Sequence, residues 1–588
     1  MRLLVGFLLL LGGVLVIRLF FLQVWSGGAY RLLASSQHEL QESLVPARGR
    51  ILVRDRVDGS LHPLATNRDA WAAYAIPRQL KDPQAAAEVF APLLEKTPEE
   101  LVALWTANPD DPYEPILKGL TTQQMDAIEE KKLEGIGFTK SWARSYPEPN
   151  IGGHVIGFVR TEDTGFGKGA YGIEGAFDEL LSGHAGFVSA QKDAGGRRLM
   201  LDDGVMREAT DGSDIVLTID RTIQHEVCRR VTNAVQRHRA DGGSAVVLDP
   251  KTGAILALCA VPDFDPAQYG EVEDIQVFNN PVTFAQYEPG SVFKAFTMAI
   301  GLEQGKISPK TTYVDTGIEE LDGFKIRNSD GLAHGLQTMT QVLDESLNTG
   351  TIFVQRLVGR ASFQQGVEAF GFGVPTGIEL TPEAKGDISS LGRKGDVFGA
   401  TGSFGQGISV TPIQLAAAYG ALANGGTLMR PYIVEEVIHS DGTREKTKSQ
   451  TVGRAISVRA AQLITGMLVS VVERGHGKRA GVPGYYVAGK TGTAQIPNPN
   501  GPGYLEDATV GNFAGYAPAD NPRFVMLVKI DHPRDVQWAE SSAAPLWGEI
   551  ASFLLAYLEV PAERPVNDVP EVELPPVTLP AVSSTPAI

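Results

Sequence analysis

The stretch "YEPGSVFKAFT", residues 287–297, sets a serine hydroxyl and a lysine amine three positions apart just past a Pro-Gly pair. The continuation "SVFKAFTMAIGLEQGK" repeats apolar residues at helical spacing up to Gly305, so the pair is expected to open a helix. A step of about three residues is close to one helical turn, which puts Ser291 and Lys294 on one face. Ser291 then falls in the first turn, where unpaired N–H groups and the helix dipole favour a developing negative charge. A serine hydroxyl becomes a nucleophile when a base in reach takes its proton, and Lys294 is such a base only when neutral. Desolvation and a neighbouring cation are the two influences that would hold it so.

Two later pieces fit the same chemistry. "DESLNTG" places Ser346 two residues before Asn348 after a helical stretch, and "VAGKTGTAQ" places Lys490, Thr491, Gly492 and Thr493 on a strand. Taken singly, S-x-x-K marks an ordinary helix surface and K-T-G an ordinary hairpin turn. The three in this order resemble the penicillin-binding protein and serine β-lactamase superfamily. Longer stretches, "EPGSVFKAFT", "GFGVPTGIEL", "GQGISVTPIQLAAAYGALANGG" and "VAGKTGTAQ", resemble class B penicillin-binding proteins, the membrane-anchored monofunctional transpeptidases of peptidoglycan synthesis. "RGRILVRD" and "GAYGIEGAFDELLSG" resemble that family's non-catalytic pedestal. Where the family often has RGxIxDRNG this chain reads "RGRILVRDRVDGS", which puts only the local turn in question.

The resemblance implies roles residue by residue. Ser291 is the acylated nucleophile and Lys294 its base. Ser346 relays a proton to the leaving amine while Lys490 holds its hydroxyl, and Asn348 donates to a substrate amide carbonyl. The N–H groups of Ser291 and Thr493 form the oxyanion hole. The hydroxyls of Thr491 and Thr493 meet the donor's terminal carboxylate, and Gly492 leaves room where substrate approaches. An extended peptide adds to the strand around Lys490. Neither metal nor organic cofactor is implied. The implied partners are peptidoglycan stem peptides, β-lactams and a membrane glycan polymerase of the shape, elongation, division and sporulation type.

Composition agrees with an extracytoplasmic enzyme of several domains. The chain has 588 residues, 43% hydrophobic and 21% charged, too many for one core. Its net charge of -17, with no run of Lys and Arg, argues against a nucleic-acid partner. The two cysteines, Cys228 and Cys259, exclude a disulfide framework or Cys-rich zinc site. They either bridge in an oxidising compartment or stand as buried thiols. From Leu3 to Trp25 the chain is apolar with Arg18 as its one charge, long enough to span a bilayer as an uncleaved anchor. A cleaved signal ending near "LLASS" is the rival reading. With Arg2 on the cytoplasmic side and Trp25 at the far boundary, everything after about residue 26 lies outside.

The expected architecture is multidomain α+β: an anchor over 1–25, a mixed pedestal over 26–212, a transpeptidase domain over 213–560 whose mixed sheet is covered by helices, and a Pro-rich tail over 561–588. Within the pedestal, "VPARGRILVRDRVDGSLHPLATN" reads as a strand, a turn at Asp58-Gly59 and a return strand. "DPQAAAEVFAPLLEKT" and "TPEELVALWTA" read as capped helices. His154 and His184 are expected to be packed or solvated and not catalytic.

Three readings follow. The first is a D,D-transpeptidase that forms an acyl-Ser291 from a D-Ala-D-Ala donor. The second is a D,D-carboxypeptidase or β-lactamase on the same fold. Against the lactamase, no Glu between Asn348 and Lys490 is followed four residues later by Asn, the pattern that places the deacylating base in class A enzymes. The third is a non-enzymatic β-lactam sensor or scaffold. Within class B, "GQGISVTPIQLA" leans toward the cell-division branch.

Overall fold

The computed structural model describes residues 39–565, apart from 45, 57, 95, 110–113, 149–151, 162–166, 193–197, 200–205 and 499–500, together with Gly6, Gly12, Gly13 and Arg18. The anchor expected over 3–25 and the tail from 566 onward therefore lie outside the described residues. Among the described residues no helix is long and apolar enough to cross a membrane.

The catalytic half is a sheet between two helical layers. In chain order it contains α1 (Arg221–Arg237), β1 (Gly242–Leu248), β2 (Ile255–Val261), α2 (Lys294–Glu303), α3 (Met339–Asp344) and α4 (Asn348–Val358). Then come α5 (Pro412–Ala423), α6 (Val458–Glu473), β3 (Ala488–Pro497), β4 (Tyr504–Ala517), β5 (Phe524–Asp531) and α7 (Ala543–Tyr557). The strands lie in the order β2-β1-β5-β4-β3. Each of these pairings is antiparallel. The parallel pairing of a mixed sheet lies elsewhere, between Ile51–Arg54 and Asp214–Asp220. The physical reason is connection length: β1 joins β2, β3 joins β4 and β4 joins β5 by short turns, which force neighbouring strands to reverse.

Both faces of the sheet are covered, so β1 and β5 are buried almost throughout and read as continuous apolar runs. On one face lie α1 and α7, with Trp547 packed against Phe513 and Phe524 and its indole N–H on the carbonyl of Met526. Asp220 caps α1 by accepting from the N–H groups of Thr222 and Ile223. The cysteines left open by the sequence form a Cys228–Cys259 disulfide joining α1 to β2. On the other face lie α5 and α6, and α2 runs against α4 and α6 in the main core.

The pedestal is joined to this unit by a shared sheet. Ile51–Arg54 turns back, with Asp55 N–H on the carbonyl of Ser60 and Gly59 at φ 74, into the long strand Leu61–Ala75, as "VPARGRILVRDRVDGSLHPLATN" suggested. The same sheet continues through Asp214–Asp220 to Val434–Ile438, a strand supplied from deep in the catalytic sequence. A smaller lobe packs Pro83–Leu94 and Pro98–Ala107 around Phe90 and Trp105, the second helix opened by a Thr97–Glu100 capping box.

Charged residues from the two pedestal motifs meet inside the pedestal. The fully buried Glu174 accepts from Arg48 at 2.7 Å and from Arg144 at 2.6 Å. Asp178 and Ser182 complete the shell around Arg48. His154 is buried with Nε2 2.7 Å from the carbonyl of Val277, and Nδ1 lies 3.1 Å from Asp263 without hydrogen-bond alignment. His184 is exposed beside Thr210. Both histidines are structural.

Removing the Glu174 charge leaves the buried Arg144 guanidinium without its carboxylate and Arg48 with Asp178 alone. Glu174→Gln is expected to lower stability by about 3–5 kcal/mol, read as a drop in the urea midpoint of unfolding. An unchanged midpoint would show that the cluster contributes nothing to the stability of the pedestal.

Candidate active site

The nucleophile turn is wedged between two glycine contacts. Gly290 has φ 60 and begins a short 3-10 turn, Gly290–Phe293, that runs into α2. A side chain at Gly290 would put Cβ 2.9 Å from the carbonyl of Thr493. Gly405, at φ 82, approaches from the other side: a Cβ there would lie 2.3 Å from the carbonyl of Gly290, and its own carbonyl accepts from Gly290 N–H at 3.1 Å. The α-helix thus starts at Lys294 and not at Ser291. The tight turn costs nothing in alignment, because residues three apart in a 3-10 turn eclipse one another, leaving Ser291 half-exposed above a fully buried Lys294.

Both lysines converge on one residue. Lys294 Nζ donates to the carbonyl of Ser346 at 2.5 Å and to its Oγ at 3.3 Å. Lys490 Nζ, from near the start of β3, donates to the same Oγ at 3.0 Å. Ser346 sits between α3 and α4 at φ 55, a left-handed conformation that a serine adopts only under constraint. Its position is set by a Thr338–Gln341 capping box that starts α3. No hydrogen bond joins Ser291 Oγ to Lys294 in this state; such contacts tighten when substrate closes the site. Asn348 opens α4, its carboxamide donating to the carbonyl of Arg327 at 2.8 Å and its N–H to Asn328. One amide hydrogen of that carboxamide remains to donate.

The electrostatics follow from burial. Lys294 and Lys490 are both 0% exposed. Desolvation holds Lys294 well below the usual lysine range, and the cation of Lys490 pushes the same way, against a weaker pull from Asp330. Desolvation also lowers Lys490, to about 7, opposed by Asp344 and Glu540. The site therefore favours a neutral Lys294 beside a cationic Lys490, the division of labour that general-base catalysis requires.

The structure alters the account of Gly492 and adds residues that sequence reading missed. A Cβ at Gly492 would meet Asn512 Oδ1 at 2.7 Å, the carbonyl of Pro289 at 2.8 Å and Val292 at 2.9 Å. Glycine is needed there because β3 presses directly on the nucleophile turn. Alternation explains the difference: Gly492 shares the inward face of Lys490, while Thr491 and Thr493 take the other. Thr493 Oγ accepts from Ala539 N–H at 3.0 Å and Thr491 Oγ from Lys490 at 3.3 Å, so each hydroxyl keeps its proton to donate. Asn512, fully buried on β4, donates to the carbonyl of Pro289. Its only sequence signal is a lone amide inside the apolar run "VGNFAGYA". Gly405 had none. Among the described residues no His, Cys, Asp and Glu cluster suits a metal. A cavity of about 580 Å³ lies along the second half of β3, lined by Tyr287, Glu288, Gly407, Ala494 and Lys529, and Ser291 is not in its wall.

Residues 243–552 match the penicillin-binding protein transpeptidase domain, and residues 43–217 match the penicillin-binding protein dimerisation domain. The chain belongs to the penicillin-binding protein transpeptidase family. A dimerisation domain ahead of a transpeptidase domain is the class B arrangement. This penicillin-binding protein is 34% identical over 578 residues to the stage V sporulation protein D of Bacillus subtilis, covering 96% of this chain and 88% of that one. It is 28% identical over 510 residues to the peptidoglycan D,D-transpeptidase FtsI of Escherichia coli K12, covering 86% and 83%. Among solved structures it resembles penicillin-binding protein 3 of Mycobacterium tuberculosis complexed with aztreonam, at TM-score 0.68 and 29% identity, over 89% of this chain and 99% of that one.

Acylation of this penicillin-binding protein is expected to follow a bell in pH. Below the lowered pKa of Lys294 the base is protonated and the rate falls; above about pH 7 the cation at Lys490 is lost and the rate falls again. The two limbs belong to the coupled pair. Stopped-flow acylation by a chromogenic cephalosporin measures both, and a rate still climbing to pH 10 would contradict the assigned charges.

Proposed function

We propose that the protein is a peptidoglycan D,D-transpeptidase acting through an acyl-Ser291 intermediate. The observation that carries this reading is the convergence of Lys294 and Lys490 on Ser346 one turn below Ser291. Neutral Lys294 takes the proton of Ser291 as its Oγ attacks the penultimate D-Ala carbonyl. The N–H groups of Ser291 and Thr493 hold the oxyanion, an interaction whose loss typically costs about 10²–10³ in rate. The C–N bond then breaks, with the proton passing from Lys294 through Ser346 to the departing D-Ala amine. An acceptor stem-peptide amine attacks the ester, and as the C–O bond breaks its proton passes by way of Lys294 to Ser291 Oγ, which frees the serine and leaves the lysine neutral. Asn348 carries the donor's amide carbonyl, and Thr491 and Thr493 its terminal carboxylate. No metal or organic cofactor has a step in this scheme.

The surroundings follow the same reading. Residues 3–25 anchor the chain in the cytoplasmic membrane with the rest outside, the pedestal spans 26–212 and the catalytic domain 213–560. A membrane glycan polymerase supplies the strands, and the division branch is the better fit for "GQGISVTPIQLA". A hydrolase would also need a base that activates water. Glu288, the acid next to the nucleophile turn, is already bound by Gly407 N–H and the Tyr504 hydroxyl.

Labelled penicillin is expected to modify the peptide containing Ser291, located by mass spectrometry, and to leave Ser291→Ala unlabelled. Undiminished labelling of that variant sinks the mechanism. The adduct should also persist for hours. Slowing its hydrolysis by about 10⁶ corresponds to roughly 8 kcal/mol of barrier, and release within seconds would favour the hydrolase.

A further inference from the structure

Asp344 ends α3, two residues before Ser346, and is 6% exposed. Its Oδ2 accepts from Ser470 Oγ at 2.8 Å, and Arg474 donates to that same hydroxyl at 2.9 Å, so a chain of contacts runs from α3 to the end of α6. The other oxygen, Oδ1, is buried without a hydrogen-bond partner. A carboxylate oxygen left so in the interior needs an electrostatic reason. Two cations lie near this carboxylate: Arg474, through the shared Ser470 hydroxyl, and beyond it Lys490, whose amine reaches Ser346 just past the end of α3, where α3 packs on α6 and α6 on β3.

We infer that Asp344 is a positioning residue, whose buried carboxylate keeps Lys490 cationic and so fixes which of the two active-site lysines carries the charge. The inference rests on the transpeptidase reading and deepens it. No hydrogen bond joins Asp344 to Lys490, so the effect is that of an opposite charge across a desolvated space, where Coulomb interactions are strong. The sign follows from the partners. Burial raises the pKa of Asp344, while Ser470, Arg474 and Lys490 favour its ionised form and Glu345 opposes it. Lys490 faces Asp344 and Glu540, the latter held by His476 at 2.9 Å. Lys294 faces Lys490 and Asp330. Without Asp344 the burial of Lys490 is less opposed, so this lysine loses its proton at lower pH. The charges that act on Lys294 are those of Lys490 and Asp330, so its limb keeps its place.

The test is the pH profile of acylation in Asp344→Asn, which keeps the shape and an acceptor for Ser470 but removes the charge. The falling limb is expected to move to lower pH by roughly one pH unit, with the rising limb unmoved and Ser291 still labelled. Asp344→Glu, which restores the charge, should return the limb toward its original place. Should Asp344→Asn not fold, the double replacement Asp344→Ala with Ser470→Ala removes the charge together with the hydroxyl left without an acceptor, and takes its place. A profile that only falls in height, with both limbs where they were, assigns Asp344 a purely structural role and overturns the inference. Loss of Ser291 labelling in the unaltered protein would instead overturn the transpeptidase reading.

Discussion

Two lysine amines are buried on one serine hydroxyl, and the architecture follows from what that arrangement demands. Each amine in water is a hydrated cation; placed together in the interior, both cannot keep their protons. The protein resolves the conflict by giving the pair unequal surroundings. Lys294 has Lys490 beside it and only Asp330 in support, whereas Lys490 has Asp344 and Glu540. Because both lysines prefer in the folded state to be less protonated than in the unfolded chain, their burial destabilises the fold at low pH. That cost is relieved as pH rises between about 7 and the unfolded value near 10.4.

Holding such a site requires rigid neighbours from distant parts of the chain. The candidate nucleophile comes from the 3-10 turn ahead of α2, the shared hydroxyl from the α3–α4 junction and the second lysine from β3, and no two of these are close in sequence. The antiparallel sheet makes the meeting reproducible. Buried on both faces, it fixes β3 by the cross-strand register of Gly492 with Asn512. That register sets Asn512 over the turn that carries Ser291. Close approach is possible because Gly290, Gly405 and Gly492 carry no side chain where three backbone segments touch.

The pedestal is bound to this unit by charge as well as by hydrogen bonds across the shared sheet. Arg54, on the strand following "RGR", reaches the fully buried Glu436 at 2.8 Å, and Arg444 reaches it at 3.0 Å. Within the pedestal itself, Glu174 is held the same way by Arg48 and Arg144. Each buried carboxylate is answered by two guanidinium groups, a geometry in which losing one member leaves an uncompensated charge. The two halves are therefore joined through Asp214–Asp220, a strand at the end of the matched dimerisation domain that pairs with Ile51–Arg54 on one side and with Val434–Ile438 on the other.

The sequence by itself determined the elements and singled out candidate reacting groups. Apolar periodicity and capping residues mark α1, α2, α7 and the strands β1 to β5, because these are local signals. Ser291, Lys294, Ser346, Asn348 and Lys490 stand out as candidates because their motifs are short and ordered along the chain. Only the tertiary structure decided what those groups face. That Ser346 takes φ 55 and that Gly492 makes room for Pro289 and Val292 depend on which segments pack together. The roles of Asn512 and Asp344 were equally hidden, for an amide in a strand and an acid before "SLN" have no local signature. The bond between Cys228 and Cys259 could be decided only once α1 lay on β2. Spacing along a chain records what can lie on one helical face, whereas the charge on a buried amine is set by neighbours brought in from elsewhere.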